Sequence, residues 1–127
     1  MPSYESAGYD PPAPLAIVSL RPSSGQAPSV GDVRMLIDTG ADITLLPRAA
    51  VNQLGIPLQG GAAYELVGID GTRRRADAVD LDMLLLNKAF RGRYLLTDDA
   101  EGIIGRDVLA ALRLLLDGPA QQWDVAP

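Results

Sequence analysis

Between residues 78 and 86 the chain alternates, with Val79, Leu81, Met83 and Leu85 apolar and Asp80 and Asp82 set between them. A period of two places alternate side chains on opposite faces of an extended strand, so this segment is predicted to be a strand with one buried face. The other apolar runs are short and broken by turn residues. Residues 15–20 (Leu-Ala-Ile-Val-Ser-Leu) and residues 33–37 predict two further strands. Pro22, Ser23, Ser24, Gly25, Pro28 and Ser29 lie between them, which predicts a hairpin with a long loop. Residues 64–67 and 90–96 read as strands, Gly68-Ile69-Asp70-Gly71 as a hairpin tip, and residues 114–119 with 121–125 as a closing hairpin. Helix is predicted in two short places only. One starts at Pro47, which suits a first helical turn, and stops at Gly55; the other covers residues 107–112. Residues 1–14 carry Pro11, Pro12 and Pro14 and no periodicity, and read as an extended N-terminal arm; residues 15–127 read as one domain, mainly β.

The residues that are missing narrow the chemistry. There is no cysteine and no histidine. Disulfides, thiol catalysis and thiolate metal sites are excluded, and a Ser-His-Asp triad, a Cys-His pair or a His-ligated zinc cannot be built from one chain. Acid–base chemistry near neutral pH then falls to carboxylates, one of which needs a raised pKa. The net charge of −5 argues against nucleic acid as the main partner, because phosphate binding needs a concentrated basic surface. Arg73-Arg74-Arg75 is the one basic run and reads as a solvated face or a hairpin flank. Residues 1–14 do not read as a signal peptide, and apolar runs such as residues 83–86 are too short to span a membrane. The expectation is a soluble cytoplasmic protein with no membrane partner.

In Leu36-Ile37-Asp38-Thr39-Gly40-Ala41-Asp42 an acidic residue directly follows a predicted strand at a glycine-containing turn. Asp-x-Gly alone is also an ordinary turn. Here it is followed by Thr44-Leu45-Leu46-Pro47 leading into a helix, then by the glycine-bearing hairpin, and later by Gly102-Ile103-Ile104-Gly105-Arg106-Asp107-Val108-Leu109. In this order the segments resemble the retropepsin-like family, single-domain relatives of the retroviral aspartic proteases, over residues 15–125.

The resemblance implies a closed, barrel-like acid protease fold that works as a homodimer on an extended polypeptide. Asp38 matches the catalytic aspartate, and Thr39 the residue that locks the two active-site loops across the dimer. Gly40 matches the glycine that allows the tight loop and lies near the substrate. Asp42 matches a residue that binds the substrate main chain and pairs with the arginine of the later Gly-Arg segment, Arg106. Gly68, Ile69, Asp70 and Gly71 fall where the family has its flap, with Asp70 departing from the glycine-rich pattern. Ala41 and Ile103-Ile104-Gly105 match the support of the catalytic loop. The resemblance also implies interface strands from the C-terminal hairpin, and apolar residues flanking the cut.

Chemistry supports the same aspartate. Activating water and protonating a leaving nitrogen need opposite protonation states, and two carboxylates in contact share one proton. Asp-Thr-Gly occurs once and Asp-Ser-Gly not at all, so a two-lobed monomer is ruled out. A residue near a two-fold axis meets its own copy, which makes Asp38 and its mate the expected dyad. No metal or cofactor is called for. The rival readings are a non-catalytic dimeric peptide-binding or assembly module and a divalent-metal hydrolase on Asp38 and Asp42. Against the first, a pure binding module has no evident need for a like-charge pair. Gly68-Ile69-Asp70-Gly71-Thr72 has glycine where a phosphotransferase's nucleophilic aspartate would stand. Asp98, Asp99 and Glu101 lack the spacing of a Ca²⁺ loop and read as a polar loop. Trp123 is expected in the core.

Overall fold

The chain folds back on itself at its start. β1 (Tyr4–Glu5) pairs antiparallel with Ala13 and Pro14, the first residues of β2 (Ala13–Arg21). The computed structural model describes residues 2–25, 28–58, 65–67 and 70–127. The sequence reads residues 1–14 as an extended arm, whereas residues 2–12 lie against the body. Ser3 bridges Gln122, and the Tyr4 N–H donates to the Gln121 carbonyl at 2.8 Å. Periodicity carries no trace of this, because the arm is held by short pairings, by hydrogen bonds to distant segments and by Tyr4 packed against the core rather than by a repeating apolar face.

β2 forms the expected hairpin with β3 (Val30–Ile37), Leu15 opposite Leu36 and Val18 opposite Val33, with a shift of register between Val18 and Leu20. β4 (Leu45–Pro47) leads directly into α1 (Arg48–Asn52), which closes at Gly55 with φ +65°. Pro47 ends the strand and caps the helix, one residue earlier in the structure than a first-turn position. β5 (Glu65–Val67) and β6 (Arg73–Arg75) pair as a hairpin, so the arginine run is a hairpin flank. β7 (Ala78–Leu85) and β8 (Lys88–Thr97) are joined by a two-residue turn at Leu86 and Asn87, both at positive φ, as a tight hairpin with right-twisted strands requires. β9 (Gly102–Ile104), α2 (Arg106–Leu109), β10 (Leu114–Asp117) and β11 (Gln122–Val125) complete the chain.

Hydrogen bonding runs β2-β3-β9-β4-β8-β7 and returns to β2 through Ser19 and Leu84. This closes a six-stranded barrel with β1 lying outside along β2. Closure leaves no free edge in the ring. Leu20, Met35, Leu46, Val79, Leu81, Met83 and Ile104 fill the interior. Trp123 is buried as expected, and its indole N–H donates to the Leu15 carbonyl at 3.0 Å, docking the β10–β11 hairpin on the barrel. One reading of β7 needs correction. The odd positions are buried, but Asp82 on the other face is also only 2% exposed. Its carboxylate accepts Arg91 Nε at 3.0 Å and the Ser23 hydroxyl at 3.3 Å, so Asp82 is covered by polar partners while Asp80 on the same face stays exposed.

Candidate active site

β3 and β9 run parallel, with Leu36 beside Ile103 and Ile37 beside Ile104, and Asp38 continues the ladder by donating its N–H to the Ile104 carbonyl at 3.1 Å. Asp38 thus stands at the end of a central strand, partly exposed, where the backbone turns. The turn closes with the Ala41 N–H on the Asp38 carbonyl at 3.2 Å. The Gly40 N–H donates to Asp38 Oδ1 at 2.9 Å and fixes the carboxylate's orientation. A Cβ on Gly40 would lie 3.1 Å from that same oxygen, so glycine keeps the space over the carboxylate open.

The segment after β9 braces this loop. The Arg106 N–H donates to the Ala41 carbonyl at 2.9 Å, and Arg106 Nη1 to the Thr39 carbonyl at 2.6 Å. Arg106 therefore supports the site, but not through Asp42. Among the described residues no ion pair joins Asp42 and Arg106; Asp42 is exposed, and the guanidinium is turned to a backbone oxygen of the loop. Gly105 is buried, and a Cβ there would come within 2.6 Å of the Ile43 backbone. At Gly102 a Cβ would collide with the Leu45 carbonyl and the Met35 sulfur. Both glycines allow β9 and its continuation to pass in contact with the chain that follows the Asp38 loop.

A further brace carries no signal in the motif. Thr44 is fully buried. Its hydroxyl donates to Asp107 Oδ1 at 2.7 Å, its N–H to Asp107 Oδ2 at 3.1 Å, and its oxygen accepts the buried Gly105 N–H at 3.0 Å. The sequence does contain a hint. Thr44 is a lone hydroxyl inside an apolar run, and a buried hydroxyl must find partners.

Thr39 and Gly40 are both exposed. At the hairpin tip, Gly71 has φ +84°, and the Asp70 carboxylate accepts the Thr72 N–H at 3.0 Å and the Thr72 hydroxyl. These hydrogen bonds, the hydroxyl first, hold the Asp70 pKa below its ordinary value. The tip residues Gly68 and Ile69 lie outside the described residues. The acidic loop is spoken for: Asp98 accepts Arg48 at 2.8 Å, Asp99 the Thr97 hydroxyl at 3.2 Å, and Glu101 accepts Arg34 at 2.7 Å. Among the described residues no three His, Cys, Asp or Glu side chains come together as a metal site.

Residues 29–108 match the family model described as aspartyl protease. The fold is similar to that of the EIAV protease complexed with the inhibitor HBY-793, with a TM-score of 0.60 and 24% identity, over 78% of this chain and 86% of that one. None of the curated proteins compared with the sequence matches it.

Proposed function

The chain belongs to the aspartyl protease family and is an aspartic-type endopeptidase with a retropepsin-like fold, and from that premise we propose that its active form is a homodimer in which Asp38 of each copy forms one dyad. The observation that carries this reading is the isolation of Asp38. The chain holds one Asp-Thr-Gly, at the end of one central strand, with its carboxylate aligned by Gly40 and its loop pinned by Arg106. Half of a two-carboxylate site is present in each chain.

At the two-fold axis the two carboxylates share a proton, because both cannot ionise cheaply in contact. The ionised member removes a proton from a water, whose oxygen attacks the peptide carbonyl carbon. The protonated member passes its proton to the carbonyl oxygen as the C=O bond opens, which gives a neutral diol. Collapse of the resulting diol breaks the C–N bond, and the amine leaves with a proton from the pair. The substrate is an extended polypeptide, and the exposed Asp42 and Gly40 are positioned at the loop where its main chain would pass.

The β10–β11 hairpin supports the pairing of two chains. The Trp123 N–H donates to the Pro2 carbonyl at 2.9 Å, so the N-terminus covers one side of β11, while β10 pairs only with β11 among the described residues. Leu115 and Leu116 on β10 are 52% and 48% exposed. An open strand edge carrying two leucines fits a second copy of itself.

Cleavage of a peptide library, run beside sizing in solution, tests the proposal. Wild type is expected to cut as a dimer with an acid-shifted optimum, and Asp38→Asn to cut nothing. Full activity from a monomer, or equal cleavage by the variant, would overturn the dyad.

A further inference from the structure

On β3 the buried residues are Val33, Met35 and Ile37, so Arg34, Leu36 and Asp38 share the opposite face. Ile103, paired with Leu36, extends that face sideways. The N-terminal arm reaches the same surface. After β1 the chain turns at Gly8, φ +82°, and the Tyr9 N–H closes on the Ser6 carbonyl at 3.1 Å. This brings the Tyr9 hydroxyl to Glu101 Oε1 at 2.5 Å, across 92 residues of sequence. Arg34 ties the arrangement together, with Nε on Glu101 Oε2 at 2.7 Å and Nη2 on Glu5 Oε2 at 3.2 Å.

Between the arm and the sheet lies a groove of about 520 Å³, bounded by Tyr9, Arg34, Leu36, Ala100, Glu101 and Ile103 among others. Its place is what matters. Leu36 precedes Asp38 by two residues on the same face, so the groove is the next feature along that face from Asp38. The floor is Leu36 and Ile103. The charged groups at its far side, Arg34 and Glu101, are bonded to each other, and the Tyr9 phenol is kept neutral, its pKa raised to about 12 first by the Glu101 carboxylate. Asp99 also lines the groove, exposed and accepting the Thr97 hydroxyl. A groove with an apolar floor, a neutral aromatic wall and its Arg34–Glu101 charges paired accepts an apolar side chain.

We propose that Tyr9, held by Glu101, is a specificity-determining residue: its ring forms the outer wall of the subsite next along this face from Asp38 and limits the size of the apolar substrate side chain that fits there. The inference rests on the endopeptidase reading above. The arm is then part of the substrate cleft, although it lies outside residues 29–108 that match the family. A hydrophobic pocket discriminates by size at about tenfold or more per methylene-sized change, so moving a wall alters ratios between substrates more than overall rate.

The test compares kcat/KM for peptides that differ only in the residue flanking the cut, from Val and Leu to Phe and Trp, using wild type, Tyr9→Ala and Tyr9→Phe. Thermal melting confirms that each variant folds. Tyr9→Ala is expected to raise the Trp-to-Leu ratio about tenfold. Tyr9→Phe keeps the ring and should stay within about threefold of wild type. An unchanged profile in Tyr9→Ala, or an equal loss for every peptide, would overturn the inference while leaving the protease reading intact. If wild type cleaves no peptide, that reading fails instead. The same series bound to Asp38→Asn then decides the role of Tyr9 by the same shift or its absence.

Discussion

The Asp107 carboxylate receives both the hydroxyl and the backbone N–H of Thr44, at 2.7 and 3.1 Å, and the Thr44 oxygen in turn holds the Gly105 N–H. The strand entering α1 and the turn entering α2 are thereby joined through one side chain directly behind the Asp38 loop. Replacing Thr44 with Val keeps the shape and removes the hydroxyl, which strands the buried Gly105 N–H. We expect a loss of about 2–3 kcal/mol in stability, with Thr44→Ser losing about 1 kcal/mol or less. Denaturant unfolding of the two variants checks the order. Equal stabilities for Val and Ser would show that the hydroxyl bonds carry little.

Gly105 is the tightest approach behind the site. A methyl group there must displace the Ile43 backbone, which has no flexible end to yield. Gly105→Ala is expected to cost about 2–3 kcal/mol and to lower kcat more than it raises KM, because the loop that aligns Asp38 shifts. Melting temperature and peptide cleavage measured on the same preparation test both parts. A variant with wild-type stability and wild-type kcat would show that the contact relaxes freely.

Much of the barrel was legible in the sequence. The period-two run in β7, the paired runs of β2 and β3 and the closing hairpin all follow from short apolar stretches between turn residues. The location of Asp38 was legible for the same reason, since a strand end and a glycine turn are local signals. What escaped was long-range. Asp107 meeting Thr44, Arg106 choosing the Thr39 carbonyl over Asp42, and Tyr9 meeting Glu101 each depend on how distant segments cross. Asp82 escaped too, because alternation assigns it to a polar face and cannot show that arginines cover that one carboxylate.

Asp82 gives the fold a defined acid sensitivity. Its hydrogen bond from Arg91 holds its pKa below the ordinary carboxylate value, with smaller help from Ser23 and Arg21. A lowered folded-state pKa contributes stability that is present above the unfolded value and is lost as pH falls through the folded one. Wild type should therefore exceed Asp82→Asn by about 1–2 kcal/mol near neutral pH. The gap should begin to shrink as pH drops below the ordinary carboxylate range, about 4, and close only below the lowered folded-state value. Unfolding curves across that window decide the matter; a gap that persists at the acid end would assign the loss to packing instead of charge.

Symmetry gives the active site a counting rule. If one site needs Asp38 from both copies, replacing half of the wild-type chains with Asp38→Asn at fixed total concentration leaves roughly one quarter of the dimers with an intact pair. Activity should then fall to about a quarter after subunits exchange, and vary with the square of the wild-type fraction. A chain that works alone would retain half and follow a straight line. The comparison needs chains that exchange, which the exposed β10 edge allows to be checked separately: Leu115→Glu with Leu116→Glu alters solvent-facing positions, so the fold should lose little stability while the dimer weakens. In that double variant activity should recover with protein concentration. Recovery places the requirement for two carboxylates at the interface, whereas activity independent of concentration would return Asp38 to a single-chain mechanism.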